Sequence, residues 1–278
     1  MEAGLIYKLK VNRKTPIGYI LTSDSEEVFL HNNEALYELT NNDLVEVFLY
    51  YDSEKRLAAT MSIPDATKNN PGWATAEDKV DGGVFLNIGI NKGILLSKDF
   101  LPYDYKLWPK KGDKLFVILK EKANRLVAKV VNNNEAKNFS IKEDIKVDDQ
   151  VKAYVERINE EGYILYTEKL SIIYLHKTQV RNKLNLGLEV MVKITRIDDR
   201  GLHATTLDNK ENMIDDDKEL VLNYLKEHKF VYIDVTPEFV LENFNMSKKA
   251  YKRAIGSLYK DRLIQIDNDK YVINSIDK

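Results

Sequence analysis

Apolar residues in the first 205 positions recur in short alternating or continuous runs, not at helical spacing. Leu44-Val45-Glu46-Val47-Phe48-Leu49, Lys114-Leu115-Phe116-Val117-Ile118-Leu119 and Val190-Met191-Val192-Lys193-Ile194 are bounded by charged or Gly- and Asn-containing segments, which predicts strands. After Asp215 the apolar spacing changes to three and four, and helices are expected from there.

The strand region repeats itself. Gly18-Tyr19-Ile20-Leu21, Gly83-Val84-Phe85-Leu86 and Gly162-Tyr163-Ile164-Leu165 each set a glycine before an aromatic and apolar strand. Phe29-Leu30-His31, Ile94-Leu95-Leu96 and Tyr174-Leu175-His176 follow. Each copy then has a charged turn, a Val/Leu-rich strand and a Leu-x-Ala closing strand, at Leu57-Ala58-Ala59, Leu126-Val127-Ala128 and Leu202-His203-Ala204. About five strands in roughly 70 residues suit a small closed Greek-key barrel, which hides its sheet edges. The alternative, one large β-sandwich, does not account for the recurring order of elements. The fold class expected is mainly β with a small α+β C-terminal domain. Its units are barrels over 1–63, 64–140 and 141–212 and a winged helix-turn-helix over 213–278. Pro64 to Pro71 and Glu135 to Glu143 read as polar linkers.

In the C-terminal unit, Leu220, Val221, Tyr224 and Leu225 mark a helix, and Val231, Ile233 and Val235 a short strand. Thr236-Pro237-Glu238 starts a second helix, with a hydroxyl cap, Pro where its missing N–H costs nothing, and an acid in the first turn. Ser247 caps a third, running to about Lys260. At ~100° per residue its Ala250, Tyr251, Ala254, Ile255 and Leu258 share one face, and Lys248, Lys249, Lys252 and Arg253 the opposite one. A hairpin over residues 263–273 completes a winged helix, whose basic helix is the element that meets nucleic acid in such modules. A charge run also serves as a plain solvated face, and winged helices also dock proteins.

Composition narrows the classes. Basic (42) and acidic (44) residues nearly cancel to a net charge of -2, which excludes a polycationic coat protein. The balance is uneven: 6 basic against 10 acidic in 1–62, 13 against 9 in 63–140, 12 against 13 in 141–214 and 11 against 12 in 215–278. The second barrel and the third C-terminal helix are therefore where phosphate is expected, and the acidic first barrel is the least suited. With no cysteine there is no disulfide, thiol nucleophile or Cys-ligated metal. His31, His176, His203 and His228 form no zinc-binding spacing, and neither a nucleophile elbow nor a phosphate loop is present. No enzyme activity, metal or cofactor is expected. MEAGLIYKLK lacks a signal-peptide core and no apolar run could span a bilayer, so a soluble cytoplasmic protein is expected.

A small barrel binds single strands by stacking bases on exposed aromatics while Lys or Arg tracks phosphates. The candidate contacts are Tyr19, His31, Phe85, Lys92, Lys98, Tyr163 and His176 on the barrels, with Lys248, Lys249, Lys252 and Arg253 on the third C-terminal helix. The alternative is that the aromatics are core. Of the three, Phe85 is expected to be the most buried, while the polar tips of Tyr19 and Tyr163 favour a surface or rim.

The glycine–aromatic strand followed by a Leu-Val-His-like strand resembles the S-one RNA-binding domain, a five-stranded oligonucleotide-binding barrel. His31 and His176 match its frequent histidine, with Leu96 in that place in the second copy. Three such barrels and a winged helix resemble the conserved virulence factor B (CvfB) family of bacterial RNA-binding regulators. Gly83 to Gly89, Trp108 to Asp113 and Ser247 to Tyr259 are the segments nearest its pattern; Asn87 and Ile88 depart from it, standing where an acid and an aromatic are expected. The resemblance implies RNA binding, regulation of gene expression after transcription, including virulence genes, and no catalysis. The expected partner is single-stranded RNA, with DNA as the alternative; no membrane or small-molecule substrate is expected. A DNA-binding transcription factor, a protein scaffold and a hydrolase with a hidden carboxylate site are the rival readings.

Overall fold

A glycine opens the second strand of each repeat because the chain comes too close to its neighbour there for a side chain. A Cβ on Gly83 or Gly162 would collide with the carbonyl oxygen of Leu96 or Leu175. The computed structural model describes residues 1–24, 26–206, 210–244 and 246–274, without the side chains of 210–214. Among these residues three closed barrels of five strands are followed by a three-stranded sheet.

The first barrel contains β1 (Ile6–Thr15), β2 (Gly18–Ser23), β3 (Glu26–His31), β4 (Leu44–Tyr51) and β5 (Leu57–Thr60). The second contains β6 (Gly72–Val80), β7 (Gly83–Asn87), β8 (Ile94–Ser97), β9 (Lys114–Glu121) and β10 (Leu126–Val130). The third contains β11 (Gln150–Ile158), β12 (Gly162–Tyr166), β13 (Ile172–His176), β14 (Glu189–Asp198) and β15 (Gly201–Thr205). In each barrel the third and fifth strands pair in parallel and every other pairing is antiparallel. The first strand of each carries a bulge in its pairing with the second, between Val11 and Arg13, Ala76 and Asp78, and Val155 and Arg157. A bulge bends a strand, as closure of so small a sheet requires.

The barrels share more than a linker. One apolar core joins Ala3 and Phe48 of the first barrel to the interiors of the second and third. Lys68 N–H donates to Gly4 O at 2.8 Å, and the Lys92 ammonium donates to the carbonyls of Tyr51 and Asp52, tying the first two barrels. Between the second and third, Trp73 packs 5.0 Å from Tyr154 and 5.4 Å from Phe116, and its Nε1 donates to Glu168 O at 3.3 Å. The stretch read as a polar linker holds a short helix, α1 (Asn133–Lys137), closed by an Asn132–Glu135 capping box. Its buried Ala136 packs with Ile164 and Tyr166 on the outside of β12. This cover is why all five residues of β12 are buried.

The C-terminal unit comprises α2 (Lys210–His228), β16 (Phe230–Tyr232), α3 (Pro237–Phe244), α4 (Lys248–Lys260), β17 (Ile264–Asp267) and β18 (Lys270–Ile273), the winged-helix order expected. Ser247 Oγ accepts Ala250 N–H at 3.2 Å as the cap of α4. Ala250, Tyr251, Ala254, Ile255 and Leu258 are buried against Val221, Leu225 and Val240. Arg181 of the third barrel pairs with the buried Asp217 and with Asp216 of α2, holding the two units together.

Candidate nucleic-acid interface

Strand register decides which aromatics face out. Gly18 lies opposite His31, Gly83 opposite Ser97 and Gly162 opposite His176. Tyr19, Val84 and Tyr163 are therefore equivalent, and all three are buried. The expectation that Tyr19 and Tyr163 lie on the surface is corrected: they are 4% and 9% exposed. Their polar tips are satisfied inside, each hydroxyl oxygen accepting a backbone N–H, from Leu39 and Leu184, at 3.3 Å. The next residue, Ile20, Phe85 or Ile164, points to the outer face. Phe85, expected to be the most buried of the three aromatics, is the half-exposed one.

The same register corrects the second copy's histidine position, which belongs to Ser97 and not to the buried Leu96. His31, Ser97 and His176 each cap the 3-10 turn that follows, accepting an N–H from Asn33 at 3.1 Å, Asp99 at 3.3 Å and Thr178 at 3.2 Å. Because Nδ1 of His31 and His176 is the acceptor, the neutral ring carries its proton on Nε2 and keeps that donor for a ligand.

Two residues before each cap, on the same outer face, stand Phe29, Leu95 and Tyr174. Across the parallel pairing stand Ala58, Val127 and His203. The antiparallel neighbours of those are Tyr50, Lys120 and Arg196.

In the third barrel these positions form a groove of about 840 Å³ lined by Tyr174, His176, Arg196, Arg200, His203 and Lys137, among others. The His203 ring lies 5.8 Å from that of Tyr174. Arg196 pairs with Asp198 at 3.0 Å, and His203 Nε2 lies 3.1 Å from the same carboxylate. Burial opposes ionisation of Asp198, but the Arg200 N–H, His203 and Arg196 together hold its carboxyl below the usual range. Asp198 thus fixes a cation beside the two rings, a role beyond that of a solvated turn acid.

The second barrel has a groove of about 770 Å³ floored by Phe85, Leu95 and Val127. Lys55, Lys120, Lys122, Arg125 and Lys129 ring it, with Tyr50 and Tyr51 of the first barrel at one wall. Lys92 is in this groove, but its ammonium is spent on the Tyr51 and Asp52 carbonyls, and burial pulls its pKa down. Lys98 is exposed at the start of the β8–β9 loop. On α4, Lys249, Lys252 and Arg253 are exposed, whereas Lys248 is half-buried and lies 3.5 Å from Asp234.

The sequence matches the S1 domain family over residues 3–62, the CvfB first S1-like domain over 72–129 and the CvfB-like winged helix domain over 219–272. YitL of Bacillus subtilis is 31% identical over 275 residues, spanning 96% of this chain and 92% of its own length. Conserved virulence factor B of Staphylococcus haemolyticus is 29% identical over 256 residues, covering 89% of this chain and 86% of its own. This chain belongs to the CvfB family. A crystal structure of a multidomain protein with nucleic acid binding domains from Streptococcus pneumoniae has the same fold as this CvfB-family chain. It covers 98% of both chains with a TM-score of 0.66 at 23% identity. These matches are to binding-domain types and not to catalytic families. Among the described residues no helix is long and apolar enough to cross a membrane.

Sequence reasoning missed Phe29, Tyr174, Arg196 and His203 on the outer faces. The signal was available: an aromatic two residues before His31 and His176 must share their face.

Proposed function

We propose that this chain is a non-catalytic protein that binds single-stranded RNA and regulates gene expression after transcription. The carrying observation is the third-barrel face, where Tyr174 and His203 stand at paired strand positions beside the Asp198-anchored Arg196. Flat rings next to a fixed cation suit unpaired bases on a phosphate chain, since stacking needs bases that are not already paired. Phe85 with Lys120, Lys122 and Arg125 offers the same combination on the second barrel, with Lys98 at its edge. His31 and His176 supply donors at the strand ends, and Lys249, Lys252 and Arg253 of α4 supply phosphate contacts. The relatives named conserved virulence factor B support a role in controlling virulence-related genes.

The test is a filter-binding panel of homopolymer RNA and duplex DNA of equal length at two salt concentrations. Single-stranded RNA should bind more tightly than duplex, and its binding should weaken steeply with salt. Preference for duplex DNA would transfer the function to a transcription factor acting through α4. Absence of binding to either would leave a protein scaffold.

A further inference from the structure

The loop between β8 and β9 covers residues 98–113, whereas its counterparts span 32–43 and 177–188. The longer loop exposes three aromatic rings, Phe100, Tyr103 and Tyr105, with Tyr103 fully in solvent. It also carries Lys98, Lys106, Lys110 and Lys111, all exposed and in no ion pair among the described residues.

Its base is fixed. Trp108 is buried, and its Nε1 donates to Pro102 O at 2.7 Å. Tyr105 leans on that ring at 4.8 Å, and Lys79 sits 4.9 Å over Tyr105 while donating to Trp108 O at 3.1 Å. Leu186 N–H of the third barrel donates to Leu107 O at 2.9 Å, pinning the far end. The rings are thus presented by an anchored scaffold, with Tyr103 fully in solvent and Phe100 and Tyr105 about half exposed.

A single exposed apolar residue needs no explanation, but three rings within six residues among four unpaired lysines make a chemically specific surface. The loop's acids offset this charge only in part: three, Asp99, Asp104 and the buried Asp113, stand against its four lysines. A polyanion bearing flat faces complements such a surface, and a nucleic acid with unpaired bases is that ligand. Phe100 also lines the groove of the second barrel, so the two surfaces are continuous.

We infer that the β8–β9 loop extends the second-barrel groove, stacking further unpaired bases on Phe100 and Tyr103 and holding their phosphates on Lys106, Lys110 and Lys111. This rests on the single-strand binding proposed above.

Fluorescence anisotropy of the full chain with a labelled oligouridine of about 20 nucleotides tests both together. The double variant Phe100→Ser/Tyr103→Ser, at exposed positions, should bind roughly tenfold more weakly than the parent. The triple variant Lys106→Gln/Lys110→Gln/Lys111→Gln should lower the slope of log affinity against log salt by roughly 2. If both sets match the parent in affinity and slope while Phe85→Ala is weakened, the loop inference is overturned and groove binding stands. If the parent binds no single strand at all, the underlying reading fails, and the inference with it.

Discussion

Glu156, on β11 of the third barrel, accepts the backbone N–H of Phe116, on β9 of the second, at 2.8 Å. The carboxyl is buried, and among the described residues its Oε2 has no hydrogen-bond partner. Burial pushes its pKa well above the usual value and favours the neutral acid, offset only in part by the Phe116 N–H. A carboxyl whose folded pKa is raised binds a proton that the unfolded chain has lost, so stability falls as pH rises above the unfolded value of about 4.3. The fall continues to the folded pKa at no more than roughly 1.4 kcal/mol per pH unit. Glu156→Gln keeps the acceptor for Phe116 and removes the titration. Denaturant unfolding followed by tryptophan fluorescence should show the variant equal to the parent near pH 4 and more stable than it at pH 7. Trp73 packs at this junction and Trp108 lies in the same apolar core as the junction strands, so the signal reports the right region. A parent that gains stability over the variant between these pH values would contradict the assignment.

Lys92 was expected on phosphate and instead joins two barrels. Replacing it by Met removes a charge-assisted donor from the carbonyls of Tyr51 and Asp52 while keeping the apolar stem. The loss should be about 1–3 kcal/mol of docking between the first and second barrels. Hydrogen exchange in the 51–56 turn should accelerate accordingly, with little change in exchange within β12. Unchanged protection of the turn would show that the clamp is idle.

The architecture was legible in the sequence because it is written in periodicity and in the order of repeated elements. The five apolar positions of α4 and its Ser247 cap are local signals, and all lie where phase analysis puts them. The ligand-facing aromatics were less legible because a strand has a period of two. Aligning Tyr19 and Tyr163 with Phe85, one residue out of step, turns an outward ring into an inward one. The hydroxyls of both tyrosines find backbone partners inside the barrel, so a polar tip was no guide to exposure. The use of Lys92 was hidden for a different reason: its partners are backbone carbonyls of another barrel, and a sequence gives no sign of such a contact.

On α4, Lys249 and Lys252 are the cations to test. Arg253 is set aside because its charge also bears on the buried Asp217 that binds Arg181 at the junction with the third barrel. Lys249→Gln/Lys252→Gln should lower the salt slope of single-stranded RNA binding by roughly 1 to 1.5 and leave the melting temperature unchanged. An unchanged slope would remove this face of the winged helix from the interface.

The central claim is that the outer barrel faces bind unpaired bases through Phe85 and Tyr174, and that Tyr19 and Tyr163 serve the core. Its most direct measurement compares the affinity for single-stranded RNA of two double variants at one salt concentration, with thermal unfolding alongside. Phe85→Ala/Tyr174→Ala should lose about 1–3 kcal/mol of binding per base no longer stacked. Tyr19→Phe/Tyr163→Phe, which strands the Leu39 and Leu184 N–H groups, should lose about 1–3 kcal/mol of stability per site and bind as the parent does. The opposite result, binding lost in the tyrosine pair and kept in the Phe85/Tyr174 pair, would contradict the account.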